Sequence, residues 1–336
     1  MDHHALYHWF QTNKRTFPWR ENKTPYSVWV SEVMLQQTRA PVVVPYFLRW
    51  MEAFPSVEAL ASASIDLVIK LWEGLGYYQR ARNLHLGARQ IVEKWSGTFP
   101  KDAATLLEIQ GIGPYTAKAI AAFAFESKDV PIDGNVQRVL ARYFCIEEEI
   151  TSAAAKRALQ KAAKEIEESG YFLGEALIEL GALICGKKPN CFSCPLKKTC
   201  SSRRKQMQEA LPYKAKKIAY ERLKRAVFLL ECRGSVAVRK NTTPIMKDLF
   251  EFPYTSWEDS FSLRQYCLVQ AWDCTRFLEY DCVRHTFTRF RVTLRPYHLF
   301  LRDLPELEGY TWVQKEELHQ LPFSSGHRKI LQEMIL

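Results

Sequence analysis

No stretch of this chain approaches the roughly 20 consecutive apolar residues that a membrane-spanning helix needs, so no membrane partner is expected. The first twenty residues, Met1 to Arg20, hold no apolar stretch followed by small residues, so no secretory signal is read there and a cytoplasmic location is expected. No internal repeat is visible beyond a succession of helices. What is present is a chain of 336 residues, 47% hydrophobic and 25% charged. That suits two globular domains, because single cores stop growing near this size.

The formal net charge is +10, and nearly all of the excess sits in one place. Between Lys197 and Arg225 there are eleven Lys or Arg and two Glu, a net of +9. Such a run is either a solvated linker or a strap for a polyanion, whose neutralisation releases counterions. Composition alone leaves both open.

Of nine cysteines, four crowd into Cys185, Cys191, Cys194 and Cys200, spaced C-x5-C-x2-C-x5-C among lysines. In a reducing compartment crowded thiols argue for a metal, and scattered ones for buried apolar filler. Zinc and a [4Fe–4S] cluster both take four cysteines.

Residues 1 to about 185 read as helical throughout, broken by short Gly, Pro or Ser turns. Helices are expected at 27–36, 41–53, 64–73, 78–95, 102–108, 114–125, 133–144, 151–168 and 171–184. After Cys200 the texture changes. Residues 201–224 read as a basic linker, and from Arg225 to residue 336 the chain becomes a small α+β domain. Ala226–Leu230 is a buried-strand run. Phe290–Arg295 alternates, with Phe290, Val292 and Leu294 on one side and Arg291, Thr293 and Arg295 on the other. Segments 258–270, 314–320 and 326–335 read as helices.

Three motifs in the helical region carry chemistry. In Leu107-Glu-Ile-Gln-Gly-Ile-Gly-Pro-Tyr-Thr-Ala-Lys118, Gly111 and Gly113 permit a tight turn with close ligand approach, and Pro114 is preset for a first helical turn. Exposed amides at such a helix start form a phosphate site; an ordinary helical corner is the bland alternative. In Val130-Pro-Ile-Asp-Gly-Asn-Val136, Asp133 is placed to cap a helix, which orients its carboxylate and keeps it ionised. In Trp29-Val-Ser-Glu-Val-Met-Leu-Gln-Gln-Thr38, Glu32 lies among apolar residues. Burial would raise its pKa and suit it to general acid work, whereas a surface glutamate is the alternative.

Taken in this order, the motifs resemble the endonuclease III superfamily and, more closely, its adenine DNA glycosylase (MutY) branch. The resemblance runs from about residue 5 to 200. It is carried by Phe17-Pro-Trp-Arg20, Ser31–Thr38, Leu75-Gly-Tyr-Tyr78, Gly111–Ala117, Ile132–Val136 and Glu175–Ala182. It implies a helix-hairpin-helix glycosylase lobe with an iron–sulfur loop. Glu32 would protonate adenine, Asp133 would stabilise the sugar cation, and Tyr115 and Asn135 would lie beside it. Trp19, Arg20, Glu175 and Ile178 would form the adenine pocket, and Gln37 and Tyr77 would wedge into the base stack. The cofactor implied is [4Fe–4S] on the four cysteines, although five residues rather than the usual six separate the first two. The Schiff-base lysine of bifunctional members is replaced by Tyr115, so monofunctional base removal is expected.

Residues 225–336 resemble the Nudix-like domain that reads 8-oxoguanine in this family. The glycine- and glutamate-rich box of active Nudix hydrolases is missing, so pyrophosphate hydrolysis is not expected. Phe287, Thr288 and Arg289 stand where the family's lesion-reading loop has Phe-Ser-His. The implied partner is duplex DNA with A opposite 8-oxoG or G, bound by a monomer associated with the nucleoid. Rival readings are a thymine-glycol or thymine–guanine mismatch glycosylase, and a DNA-binding scaffold with an inactive site.

Overall fold

The computed structural model describes the chain apart from residues 168–169, 215–219, 244–245, 259, 288 and 336. Contacts divide it into two units, Met1–Ser62 with Asn83–Lys217, and Ala63–Arg82 with Ile218–Leu336.

The first unit is helical. It opens with α1 (His3–Asn13), α2 (Pro18–Glu21), α3 (Pro25–Leu35), α4 (Ala40–Ala53) and α5 (Val57–Ser62). The second unit claims α6 (Ile65–Leu71) and the start of α7 (Gln79–Trp95). The first unit then resumes with α8 (Ala103–Leu106), α9 (Pro114–Phe125), α10 (Gly134–Phe144), α11 (Ala153–Glu167), α12 (Leu173–Leu183) and α13 (Ser201–Arg204).

Local chemistry sets the helices that matter for the site. Helix α3 starts at a capping box, in which the Thr24 side chain accepts from Ser27 N and the Ser27 side chain accepts from Thr24 N, with Pro25 at the first position. Every residue from Tyr26 to Met34 is buried, Glu32 included. Such a helix, apolar on all sides, is held by packing rather than by one amphipathic face. Helix α10 is capped by Asp133. Its Val136, Val139 and Leu140 join Leu6, Leu159, Leu177 and Leu180 in a shared core. Where α10 meets α12, a Cβ on Gly181 would lie 2.6 Å from the Asn135 Cβ, so only glycine allows that approach.

The second unit is built on an eight-stranded sheet: β1 (Glu221–Cys232), β2 (Ser235–Lys240), β3 (Phe250–Glu251), β4 (Tyr254–Ser256), β5 (Cys274–Glu279), β6 (Val283–Phe287), β7 (Phe290–Leu301) and β8 (Thr311–Gln314). Its main path runs β3-β2-β1-β7-β5; β4 also pairs with β1, β6 with β7 and β8 with β2. The central pair β1–β7 is parallel and the other pairs are antiparallel. One face buries Val227, Leu229, Val292 and Leu294 against α15 (Ser325–Ile335). The other buries Ala226, Phe228, Tyr297 and Leu299 against α14 (Leu263–Val269) and Trp272. The expected alternation in β7 is present: Val292 and Leu294 are buried and Arg291 is exposed.

Three boundaries differ from expectation. The stretch 201–224 is not all linker: Ser201–Arg204 is helical and β1 begins at Glu221, because Glu221–Lys224 pair in register with Phe290–Thr293. The helix expected at 258–270 is confined to Leu263–Val269, its start fixed by the Ser262 side chain accepting from Gln265 N. The segment 314–320 is a 3-10 turn over Lys315–Gln320.

The grouping of 63–82 with the C-terminal part also departs from a division near residue 200. Its cause is a set of polar contacts made by α6, the loop after it and the start of α7. Glu73 accepts from Phe323 N at 2.9 Å and from Arg328 Nε at 2.6 Å and Nη2 at 3.0 Å. Arg82 Nε donates to Asp248 Oδ2 at 2.8 Å, and Lys70 Nζ donates to Leu321 O at 3.1 Å.

Candidate active site

Helices α3, α9, α10 and α12 bring their polar residues to one cavity of about 780 Å³ in the first unit. Glu32, Tyr115, Asp133 and Asn135 line it, together with Trp19, Arg20, Gln37, Glu175 and Ile178. Nine of the residues singled out from the sequence therefore meet at a single place.

Glu32 is only 7% exposed. Its Oε2 accepts from the Tyr115 hydroxyl at 2.6 Å. Burial is the main cause that pushes its carboxyl up to about 7. The bond from Tyr115 and the charge of Arg20 oppose that shift, while the Asp133 and Glu175 carboxylates reinforce it. A carboxyl titrating near neutrality can hold a proton and give it up, which is the requirement for a general acid. Burial also drives the Tyr115 phenol upward, so this hydroxyl stays a donor.

Asp133 caps α10. Its Oδ1 accepts from Asn135 N at 2.9 Å and Val136 N at 2.7 Å, and its Oδ2 from Asn135 Nδ2 at 2.8 Å. These bonds orient the carboxylate and favour its charge, as does Arg138, yet burial outweighs them and its pKa lies above the ordinary value. The cap therefore fixes the group in place without the net downward shift that capping alone suggests. Asn135 is held in turn, its Oδ1 accepting from Arg138 Nη2 at 2.9 Å.

A cationic group closes another side. Arg20 Nη1 lies 2.7 Å from Glu179 Oε1, and Arg15 Nε 2.9 Å from Glu179 Oε2. Lys23 Nζ lies 2.8 Å from Glu175 Oε2. Trp19 is stacked on Phe17 at 4.8 Å between centroids. Glu179, fully buried, had not been singled out from the sequence. Its signal was its place four residues after Glu175 on α12, which sets both carboxylates on one helix face.

The hairpin has the expected form. Gly111 adopts φ +82, and a Cβ there would meet the Asn83 side chain at 2.4 Å. Gly113 precedes Pro114 as the cap of α9, and a Cβ there would find open space. The first amides of α9 are thus reachable by an anion. Lys118 is turned away: its ammonium lies 3.3 Å from Glu167 and 3.5 Å from Asp129.

Gln37 is exposed and has φ 59; Tyr77, 46% exposed, has φ 50 and belongs to the second unit. Both expected wedge residues thus sit in the left-handed region, which costs a non-glycine residue on the order of 1 kcal/mol or more and is concentrated at functional sites. Phe287 is half-buried in the second unit, its ring 5.4 Å from Phe290 and 5.5 Å from His285. Thr288 lies outside the described residues. Arg289 is exposed, 3.8 Å from Glu221.

The four clustered cysteines follow α12. Cys185, Cys194 and Cys200 pack against the core shared by α10 and α12. Among the described residues no three metal-binding side chains converge as a preformed site. The thiols nevertheless lie close enough to act on one another electrostatically: Cys185, Cys191 and Cys200 each raise Cys194, behind burial as the main cause. Arg142 Nη1 donates to Cys185 Sγ at 3.3 Å, and Arg138 Nε to Cys185 O at 2.7 Å. Four soft donors on one short loop, with a guanidinium against the first sulfur, fit a thiolate-held metal or cluster.

Comparison with known proteins agrees with this geometry. Residues 30–165 match the HhH-GPD superfamily of base excision DNA repair proteins, and residues 226–333 match a NUDIX domain. The human adenine DNA glycosylase is 31% identical over 97% of this chain and 72% of its own length. That of Buchnera aphidicola from Acyrthosiphon pisum is 31% identical over 96% of this chain and 89% of its own. A thermostable thymine-DNA glycosylase superposes with a TM-score of 0.52 at 25% identity, covering 60% of this chain and 95% of that one. A non-covalent endonuclease III–DNA complex gives 0.51 at 20% identity, over 61% and 96%, which bears on fold alone. No helix among the described residues is long and apolar enough to cross a membrane. The chain belongs to the adenine DNA glycosylase family, and so to the DNA N-glycosylases.

Proposed function

We propose that the protein excises adenine mispaired with 8-oxoguanine or guanine from duplex DNA, by monofunctional hydrolysis of the N-glycosidic bond. The observation that carries this reading is that Glu32 and Asp133 line one cavity, the first titrating near 7 and the second fixed by a helix start.

A glycosidic bond inside a duplex is out of reach, so the adenosine must leave the stack, at a few kcal/mol and less at a mismatch. Amides of the hairpin at Gly111–Thr116 hold the backbone, while Gln37 and Tyr77 fill the gap. Trp19, Arg20, Glu175 and Ile178 receive the base. Glu32 protonates it, making adenine a better leaving group. The sugar becomes oxocarbenium-like, and Asp133 supplies the facing negative charge, dividing the work as two carboxylates do in glycoside hydrolysis. Tyr115 holds the Glu32 proton donor in place, and Asn135 holds Asp133. Lys118 is engaged by Glu167 and Asp129, and Lys23, which lines the cavity, by Glu175, so neither amine is offered to the sugar.

Cys185, Cys191, Cys194 and Cys200 would hold a [4Fe–4S] cluster, with zinc as the alternative occupant of a four-thiolate loop. Such a group would brace the loop and the lysines on it; base removal itself needs no electron transfer. The second unit reads the base opposite adenine through its β6–β7 hairpin. The enzyme acts as a monomer in the cytoplasm, on nucleoid DNA.

Duplexes with A opposite 8-oxoG, A opposite G, T opposite G, and thymine glycol, treated with enzyme and then alkali, test this reading. Cleavage at the A-containing pairs is expected. Cleavage confined to thymine substrates would favour a mismatch or thymine-glycol enzyme, and none at all an inactive scaffold.

A further inference from the structure

The sheet of the second unit is unevenly covered. On the face that buries Phe228, Tyr297 and Leu299, the apolar cover ends near Trp257 and Ala226. Beyond it the register sets polar residues in rows across β1, β7 and β6. One row is Arg222, Arg291 and Thr286; the next is Lys224, Thr293 and Arg284. Arg295, opposite Ala226, follows. Arg222, Lys224, Arg284 and Arg291 are exposed. The opposite face of the same strands carries Val283, Val292 and Leu294, all buried, so these cations cannot turn inward.

Cations outnumber acids on this face. Arg295 is paired with Glu279, but Arg222, Arg284 and Arg291 form no ion pair among the described residues. Arg222 and Arg291 stand directly opposite each other across the parallel pair, where like charges are destabilising. Aromatic rings steady the cations: Arg291 lies 4.4 Å from the Tyr220 ring, and Trp257 lies 5.4 Å from Lys224 and 5.0 Å from Arg295. Glu279 offsets only Arg295, and an anion would relieve the excess positive charge that remains.

We propose that this end of the sheet face is a docking surface for the phosphate backbone of duplex DNA. Strands are about 4.8 Å apart and alternate residues along a strand about 6.7 Å, so the cations are spread over a distance that one phosphate cannot span. A DNA strand carries a charge every ~3.4 Å of axis and can meet several of them together. The surface continues along β6 and β7 toward the paired residues Phe287 and Phe290, so it would hold the duplex beside the base that this end of the unit reads. The inference rests on the reading of this chain as a DNA glycosylase, but not on excision.

The test is the salt dependence of affinity, measured with the full chain and an undamaged duplex by fluorescence anisotropy. Each phosphate contact contributes about 0.9 to the slope of log K against log salt. The triple variant R222Q/R284Q/R291Q should flatten the slope by about 2 to 3, and each single variant by about 0.9. Arg233→Gln, an exposed cation on the β1–β2 turn, should leave it unchanged. Slopes equal to that of the parent, or a loss as large in Arg233→Gln, would overturn the proposal; the first would leave the face to an acidic protein partner. The single variants serve should the triple variant not fold. Absence of excision on every mispair would refute the enzymatic reading while leaving this result standing.

Discussion

The Tyr115 hydroxyl donates to Glu32 Oε2 at 2.6 Å, from the helix position just after the hairpin's Pro114. A hydrogen bond from a phenol favours the charged carboxylate and works against the burial that raises Glu32 to about 7. The proton affinity of the acid is therefore set by a balance between α3, which buries it, and α9, which hydrogen-bonds it.

The pH profile follows from that balance. The reactive form of Glu32 is protonated, so single-turnover excision should be high below pH 7 and fall as pH rises through about 7. In Tyr115→Phe the opposing bond is gone, and the falling limb should move to higher pH. Rates measured from pH 5.5 to 9 check both. A limb that stays in place in the phenylalanine variant would separate the two residues.

Stability should also fall as pH rises, over a lower range than activity. A carboxyl raised from 4.5 to about 7 in the folded state binds its proton more tightly there than in the unfolded chain. Folding is then weakened as pH rises from about 4.5 to 7, by up to about 3 kcal/mol by linkage. Glu32→Gln removes that penalty and keeps a polar group for Tyr115. Its melting temperature should exceed that of the parent at pH 8 and approach it at pH 5. Equal melting curves at both values would show that Glu32 is not burdened by burial.

Much of the site was legible in the sequence. Glu32 stood out as a lone acid among the apolar residues of Trp29–Met34, a pattern that left a surface position open until the fold buried it, and Asp133 because Asp-Gly-Asn before an apolar helix marks a cap. Glu179 shares a helix face with Glu175, but its partners were not legible: Arg15 and Arg20 lie about 160 residues away in the chain. The same holds for 63–82, whose place in the second unit rests on Glu73 meeting Arg328, a pairing no local pattern announces. The net upward shift of Asp133 escaped because burial, unlike a cap, is a property of the whole fold.

The Glu73–Arg328 pair, with side chains 14% and 18% exposed, should matter to the second unit. Arg328→Ala removes the bidentate partner of Glu73 and leaves its carboxylate to Lys70 and the Phe323 amide, at a cost of about 1.5–3 kcal/mol. Urea unfolding followed by the fluorescence of Trp272 and Trp312 should show a lower midpoint. An unchanged midpoint would mean that the pair is solvent-screened and contributes little.

Lys118 should be dispensable for chemistry. Its ammonium is engaged with Glu167 and Asp129. Lys118→Ala should therefore excise adenine at the parental rate, and the parent should give no covalent product with DNA under borohydride. A trapped complex that disappears in Lys118→Ala would establish an amine nucleophile.

The cysteine loop has an elemental test. Protein purified without oxygen should carry iron and acid-labile sulfide in equal amounts, and Cys194→Ser should lose both. Zinc without sulfide would assign the loop to a single ion.

The central claim is that Glu32 is the proton donor to a base lodged in the cavity it shares with Asp133. Single-turnover excision of adenine opposite 8-oxoguanine by Glu32→Gln, with duplex affinity measured alongside, tests it most directly. The account predicts affinity within a few-fold of the parent and a rate reduced by about 10²–10⁴ or more. Excision at the parental rate with unchanged affinity would contradict it.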